Sequence, residues 1–252
     1  MQRSGFAVVI PMYNEESGVE DCIRKVSDVL SNIEMRHALI VVEDGGSDRT
    51  WDIIMSLNQS YPDLIAIKHD KNHGYGGALR TGTRRAIAEG YEYVLYMDSD
   101  LTNNPVDIPK FFEKMKDGVD VIKATRYSHG GGVDGVPFVR VILSRLGNSI
   151  AGFLFQLPLR DCTNGYRAIK TEILEKMNLK ENNFSIIMEE LYYSRYLAKS
   201  FDCVPVVLTD RSIDQRPTSF NYSPSLLWGY LKYPLRSFFC GAPAKKMEQN
   251  KK

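Results

Sequence analysis

No run of about 20 uninterrupted apolar residues occurs in this 252-residue chain, which excludes a conventional membrane-spanning helix. The N-terminus passes almost directly into a strand pattern, Phe6 to Ile10, closed by Pro11, without the long apolar region of a secretory leader. Cysteine is scarce. Cys22, Cys162, Cys203 and Cys240 lie far apart, with none of the close pairs that zinc sites and redox motifs need. They read as reduced thiols in a cytoplasmic protein. Nor is charge of one sign in excess: 32 basic against 31 acidic residues leave a net charge of +1, so no global field marks a nucleic-acid binder. Charge-driven recognition has to be local. With 43% hydrophobic residues, the chain has enough apolar surface for one large α/β domain with a small appendage.

What is present is an alternation. Short β-branched runs at Phe6 to Ile10, His37 to Glu43, Leu64 to Lys68, Tyr93 to Met97 and Val119 to Thr125 are separated by helical patterns, as in βαβ units around a mostly parallel sheet. Val19, Ile23, Val26, Leu30 and Ile33 recur at helical spacing, and Ser17 with Glu20 has the form of a capping box. Further helices are expected from near Asp48, from the glycine-rich Gly74 to Leu79 up to Gly90, and after Pro105. Beyond Arg126 come a glycine loop, a long apolar and basic helix pattern from Val136 to Leu159, a tyrosine-rich helix from Ile186 to Leu197 and a last strand from Val204 to Leu208. Arg211 to Ser225 reads as a loop before an aromatic C-terminal helix, Leu226 to Phe239, and a lysine-rich tail.

Asp98-Ser99-Asp100 directly follows a buried-strand pattern. Carboxylates at the carboxyl end of such a strand sit where open α/β sheets bind ligands, and two of them suit a hard cation such as Mg2+ or Mn2+ bridging to a diphosphate. Capping of an ordinary turn is the competing reading. The first strand ends in Pro11-Met12-Tyr13-Asn14-Glu15 and the second in Glu43-Asp44-Gly45-Gly46-Ser47. Acids there can accept nucleobase N–H groups or ribose hydroxyls, and the glycines allow close approach of backbone to a ligand. Plain strand-to-helix turn chemistry explains either segment taken alone.

Taken together the segments resemble glycosyltransferase family 2, in which a Pro-x-Tyr-Asn-Glu strand end, an Asp-Asp-Gly-Ser strand end and an Asp-x-Asp strand end build a nucleotide-sugar site. The resemblance covers residue 6 to about 220. It implies the GT-A fold, a mostly parallel central sheet flanked by helices, with a catalytic domain over 1–222 and an amphipathic C-terminal helix and basic tail over 223–252. It also implies donor contacts at Pro11, Tyr13, Asn14, Glu15, Glu43, Asp44, Asn72, Gly76, Arg80, Asp98, Ser99 and Asp100. The sequence departs from the family pattern with Glu43 for aspartate, Gly46 for serine, Tyr75 for a frequent lysine and Thr102 for a frequent glutamine.

Arg126-Tyr127, Arg140, Ser144 and Asp161-Cys162-Thr163-Asn164-Gly165-Tyr166-Arg167 follow the spacing of the polyprenyl-phosphate branch, which includes dolichyl-phosphate mannosyl- and glucosyltransferases. The resemblance places Arg126, Arg140, Ser144, Arg167 and Arg211 at an acceptor phosphate. It makes Asp98, Asp100, Arg126, Asp161, Glu189 and Glu190 the catalytic candidates. Five arginines from Arg126 to Arg167 among apolar residues suit a phosphate on a greasy tail; an amphipathic core helix with solvated arginines is the plainer alternative.

The implied reaction is inverting transfer of a hexose from a nucleotide-diphosphate sugar of the GDP-mannose or UDP-glucose type. The acceptor is a polyprenyl phosphate, and the enzyme sits peripherally on the cytoplasmic face of a membrane, alone or with a membrane partner subunit. Alternatives are a family 2 transferase using a glycan or lipopolysaccharide hydroxyl, which Glu189 or Glu190 would serve as base, and, more remotely, a sugar nucleotidyltransferase or a non-catalytic nucleotide-sugar binder. Two glutamates opening a helix also complement its dipole without any catalytic role.

Overall fold

The computed structural model describes residues 3–134, 138–209 and 224–242, with the side chains of 138–140 and 224–226 outside the description. Strands β1 (Phe6–Met12), β2 (His37–Glu43), β3 (Leu64–Lys68) and β4 (Tyr93–Tyr96) run parallel in the order β3-β2-β1-β4. Their crossovers are α1 (Val19–Leu30), α2 (Thr50–Leu57) and α3 (Tyr75–Ala88). A 3-10 turn at Pro105–Asp107 leads into α4 (Ile108–Lys116) and β5 (Val121–Thr125). The seven-stranded sheet is completed by β7 (Arg167–Lys170), antiparallel between β4 and β5, and by β8 (Phe201–Pro205) at the far edge. A separate pair joins β6 (Gly132–Val133) to β9 (Val207–Leu208), so the single last strand expected from Val204 to Leu208 is broken after Pro205.

Alternation along β1 shows how the sheet is sandwiched. Phe6, Val8, Ile10 and Met12 join the core with α1, Ile54 of α2 and Phe111 of α4. Ala7 and Val9 face Ala78, Leu79 and Ala86 of α3. Small residues are needed on that second face: a Cβ on Gly82 of α3 would stand 2.4 Å from Val9 Cγ1. The helix thus rides directly on the sheet. The capping residue of α1 is Gly18, which supplies no side-chain cap, rather than the expected Ser17, and the helix follows a turn closed by the Gly18 and Val19 amides on the Glu15 carbonyl. Asp48 does mark the start of α2, taking the Thr50 amide at 3.0 Å and the Thr50 hydroxyl at 2.6 Å.

A third core lies beyond the sheet. Ala151 and Phe155 of α5 (Phe138–Phe155), Met188, Leu191 and Tyr192 of α7 (Ile186–Leu197) and Tyr233 of α8 (Pro224–Phe239) pack together. A single helical turn, α6 (Thr171–Leu174), precedes α7. The outer surface of α5 and α8 remains apolar: Leu143, Leu146, Ile150, Phe153, Trp228 and Phe239 are all exposed. Among the described residues no helix is long and apolar enough to cross a membrane.

Candidate active site

Parallel pairing brings the carboxyl ends of β1, β2, β3 and β4 to one edge of the sheet. Of the crossovers that start at this edge, α1 and α2 pack on one face of the sheet and α3 on the other, at the end where open α/β sheets bind ligands. The loop after β1 is built on Asn14, which adopts a left-handed φ of 54°, and its Oδ1 accepts the Ser47 amide at 2.8 Å from the loop after β2. The Glu15 amide donates to Thr50 Oγ1 at 2.7 Å. Pro11 is half-buried in β1, and the neighbouring Tyr13 is 49% exposed. First and second loops are thus one unit.

Within it, two departures from the family pattern explain each other. The buried Glu43 reaches past β2 and accepts the Gly46 amide at Oε1. A Cβ on residue 46 would stand 2.8 Å from that oxygen and 2.7 Å from Asn14 Oδ1. The longer acid therefore needs glycine where the family has serine. Glu43 Oε2 is buried with no hydrogen-bond partner among the described residues. Asp44 organises the next loop, accepting His69 Nδ1 at 2.6 Å and the His73 amide at 2.9 Å through Oδ1. Asn72 Oδ1 accepts the Gly74 amide at 2.8 Å as α3 begins.

Asp98, Ser99 and Asp100 follow β4 and are all half-buried. Asp100 Oδ1 accepts the amide and hydroxyl of Thr102 at 3.1 and 2.8 Å around a left-handed Leu101. Asp98 Oδ1 accepts the Tyr75 hydroxyl at 3.0 Å. Burial, then the Asp98 charge, hold the Tyr75 phenol well above its usual pKa, so it stays a neutral donor. Among the described residues no three His, Cys, Asp or Glu side chains gather to cage an ion. Two hard carboxylates fit Mg2+ or Mn2+ only as part of a coordination sphere finished by ligand oxygens and water.

A second polar cluster surrounds Arg126, just past β5. Asp161 grips its guanidinium with two bonds, Nε to Oδ2 at 2.7 Å and Nη2 to Oδ1 at 2.8 Å, and Nη2 also reaches Thr163 Oγ1 at 3.0 Å. Asn148 of α5 bonds Thr163 twice, and Ser144 Oγ lies 2.7 Å from the Tyr127 hydroxyl. The guanidiniums of Arg126 and Arg145 flank the Tyr127 ring at 5.1 and 5.9 Å from its centroid. Arg211 and the side chain of Arg140 lie outside the described residues.

The strip Asp161 to Gly165 joins the two clusters. At one end Asp161 holds Arg126. At the other a Cβ on Gly165 would stand 3.0 Å from Asp98 Oδ2 and 3.2 Å from the Tyr75 hydroxyl. Four chain steps reach no further than about 14 Å, so the two clusters are neighbours along this strip. Lys123, fully buried in β5, pins the middle of the strip by donating to the carbonyls of Cys162 and Asn164.

Several candidates are placed otherwise than the sequence grouped them. Arg167 is 1% exposed, stacks over the Tyr96 ring at 4.3 Å and pairs with the equally buried Glu190, so burial and pairing separate it from Arg126 and Ser144. Glu189 takes the amides of Lys180 and Glu181 at 2.9 Å through Oε2, and burial raises its pKa. Arg80 binds the Glu181 carbonyl and Asn182 Oδ1. Gly76 is required by close packing: its Cβ would meet the Glu181 carbonyl oxygen at 2.2 Å. Lys123 and Asn148 escape sequence reasoning, Tyr75 stood out only as a departure from the family's lysine, and Thr163 only as a member of the Asp161 to Arg167 segment.

A family model for glycosyl transferase family 2 matches residues 7–177. The chain is 31% identical to a dolichol-phosphate mannosyltransferase of Pyrococcus furiosus over 193 residues, 75% of this chain and 53% of the relative. It is 30% identical to a polyprenol monophosphomannose synthase of Mycolicibacterium smegmatis over 173 residues, 68% of this chain and 64% of the relative. It therefore spans between about half and two thirds of the length of these relatives. The structure is similar to that of glucosyl-3-phosphoglycerate synthase from Mycobacterium tuberculosis in complex with Mn2+, UDP and glucosyl-3-phosphoglycerate, with a TM-score of 0.65 at 19% identity over 96% of this chain and 81% of the other. A complex of the same enzyme with Mg2+ and UDP gives a TM-score of 0.64, also at 19% identity, over 96% and 81% of the two chains. The fold is the GT-A fold, and because the family match runs from β1 past β7, through every strand end just described, this chain belongs to glycosyltransferase family 2.

Proposed function

We propose that the chain transfers a hexose, with inversion, from a nucleotide-diphosphate sugar to a polyprenyl phosphate on the cytoplasmic face of a membrane. One observation carries the reading: α5 is two-sided beside the Arg126–Asp161 pair. Ser144 and Asn148 of α5 join the arginine cluster, while Leu143 and Phe153, 63% and 71% exposed, form part of the outer apolar face. A phosphate headgroup and its hydrocarbon tail need that juxtaposition, and a soluble glycan does not. The names of the two relatives support the acceptor class.

Donor contacts fall to the edge of β1, β2 and β4, with Glu43 Oε2 available to an N–H or hydroxyl group of the nucleotide. Asp98 and Asp100 would hold Mg2+ or Mn2+, which when bound neutralises charge on the departing diphosphate. The acceptor phosphate, with a second pKa near ~6, is already largely a dianion at neutral pH and attacks the anomeric carbon without surrendering a proton. The pairing of Glu190 with Arg167 and of Glu189 with two amides agrees with a reaction that requires no general base. Free thiols at all four cysteines suit a reducing compartment.

The test is transfer of labelled hexose from GDP-mannose and UDP-glucose to polyprenyl phosphate in vesicles, with Mg2+ or Mn2+. Label should enter the lipid and fall at least a hundredfold with Asp100→Ala. Label entering only a glycan hydroxyl, or a fully active Asp100→Ala, overturns the reading.

A further inference from the structure

The stretch 180–182 is held from both sides. Inward, the Glu181 carbonyl accepts the Arg80 guanidinium and the Asn182 carbonyl accepts the Gly76 amide at 2.9 Å. Cβ atoms on Gly74 and Gly76 would stand 2.3 Å from the Asn182 oxygen and 2.2 Å from the Glu181 oxygen. Backbone thus rests on backbone without slack, and a shift of either strip moves the other. The next link is Tyr75, whose ring packs on Phe184 at 4.5 Å and whose hydroxyl holds Asp98.

Outward, the Glu181 carboxylate accepts Lys232 Nζ and the Tyr233 hydroxyl, the latter at 2.8 Å, both from α8. The same helix exposes Leu227, Trp228 and Leu231 a turn away. Glu181 is the only residue of 180–182 whose side chain meets α8 among the described hydrogen bonds. Tyr233 also engages Glu189, which accepts the Lys180 and Glu181 amides, so Glu181 is the direct one of two polar links from α8.

We propose that Glu181 is a positioning residue that couples α8 to the segment Gly74 to Arg80, so that seating of α8 on a lipid surface tightens the nucleotide side of the site. The proposal rests on the reading above, in which that segment and Asp98 serve the donor. Glu181 touches neither substrate; it acts through Gly76, Arg80 and Tyr75.

Two measurements on the full chain test it, each with and without anionic phosphatidylserine-containing vesicles. Hydrogen exchange of amides 74–80 should slow roughly fivefold on vesicle addition in the wild type, about what one ordinary intramolecular hydrogen bond contributes. Affinity for GDP or UDP with Mn2+ should rise in parallel. Glu181→Gln, and the milder Tyr233→Phe, should keep vesicle binding but lose most of both responses. No vesicle response at 74–80 in a wild type that binds the vesicles, or a response of wild-type size in both variants, overturns the coupling. Exchange that follows Glu181 in a chain binding neither nucleotide overturns the donor reading while sustaining the mechanical link.

Discussion

Glu190 separates two kinds of chemistry, because a general base and a buried counter-ion respond oppositely to loss of charge. Its carboxylate and the Arg167 guanidinium are each 1% exposed and bonded to one another. Arg167 also donates Nη1 to the Gly165 carbonyl, while its Nη2 and Glu190 Oε1 have no partner among the described residues. Glu190→Gln preserves shape and strands a charged guanidinium in the interior, which costs about 3–5 kcal/mol. Against a typical total stability of about 5–15 kcal/mol, that loss is easily measured by urea denaturation. Removing both charges, as Arg167→Met with Glu190→Leu, removes both desolvation penalties and should return stability to within about 1–2 kcal/mol of the wild type. The double variant is then far more stable than the sum of the single changes requires. The reasoning fails if Glu190→Gln unfolds like the wild type and only transfer is lost, since Glu190 would then be acting in the chemistry. It fails equally if the two substitutions are additive.

Lys123 makes a pH prediction. Burial pulls its amine down to about 8 from 10.5; between those values the unfolded chain binds a proton that the folded chain does not, so stability rises with pH across that window. Relative to Lys123→Met, the wild type should gain roughly 2–4 kcal/mol between pH 7.5 and 10.5, and a pH-independent difference in urea denaturation would refute it. On the outer face, Phe153 and Trp228 are 71% and 61% exposed. Together Phe153→Glu and Trp228→Glu should weaken co-sedimentation with anionic vesicles more than tenfold, because each ring contributes about 1.5–3 kcal/mol when buried, with little change in thermal unfolding. Full co-sedimentation of the double variant would sink the assignment of that face to lipid.

Sequence periodicity reveals the sheet wherever a strand is long and β-branched. β1 and β2 carry seven residues each and their apolar runs are plain. β7 is invisible by the same logic: Arg167-Ala168-Ile169-Lys170 has charge at both ends and no alternation, and becomes a strand only because β4 and β5 stand on either side. The carboxylates of the site are legible because Asp98 and Asp100 follow an apolar run. Tyr75 and Gly76 are not, since their partners lie about 20 and 100 positions away, at Asp98 and Glu181. The exchange between Glu43 and Gly46 shows the same limit at short range: each reads as a separate oddity until the structure puts the carboxylate where a serine Cβ would stand.

The antiparallel β7, inside an otherwise parallel sheet, has a consequence for the order of assembly. On a chain synthesised from its N-terminus, β1 to β4 can pair as soon as residue 96 is available, whereas β5 has no neighbour in the sheet until residues 167–170 or 201–205 arrive. β7 then acts as a stitch between two halves, a long-range closure of the kind that slows folding. Gly165 and Asn164 arrive with that stitch and complete the wall beside Asp98. The half-made protein therefore holds both carboxylates but no finished pocket around them, and the site closes only when the seam does.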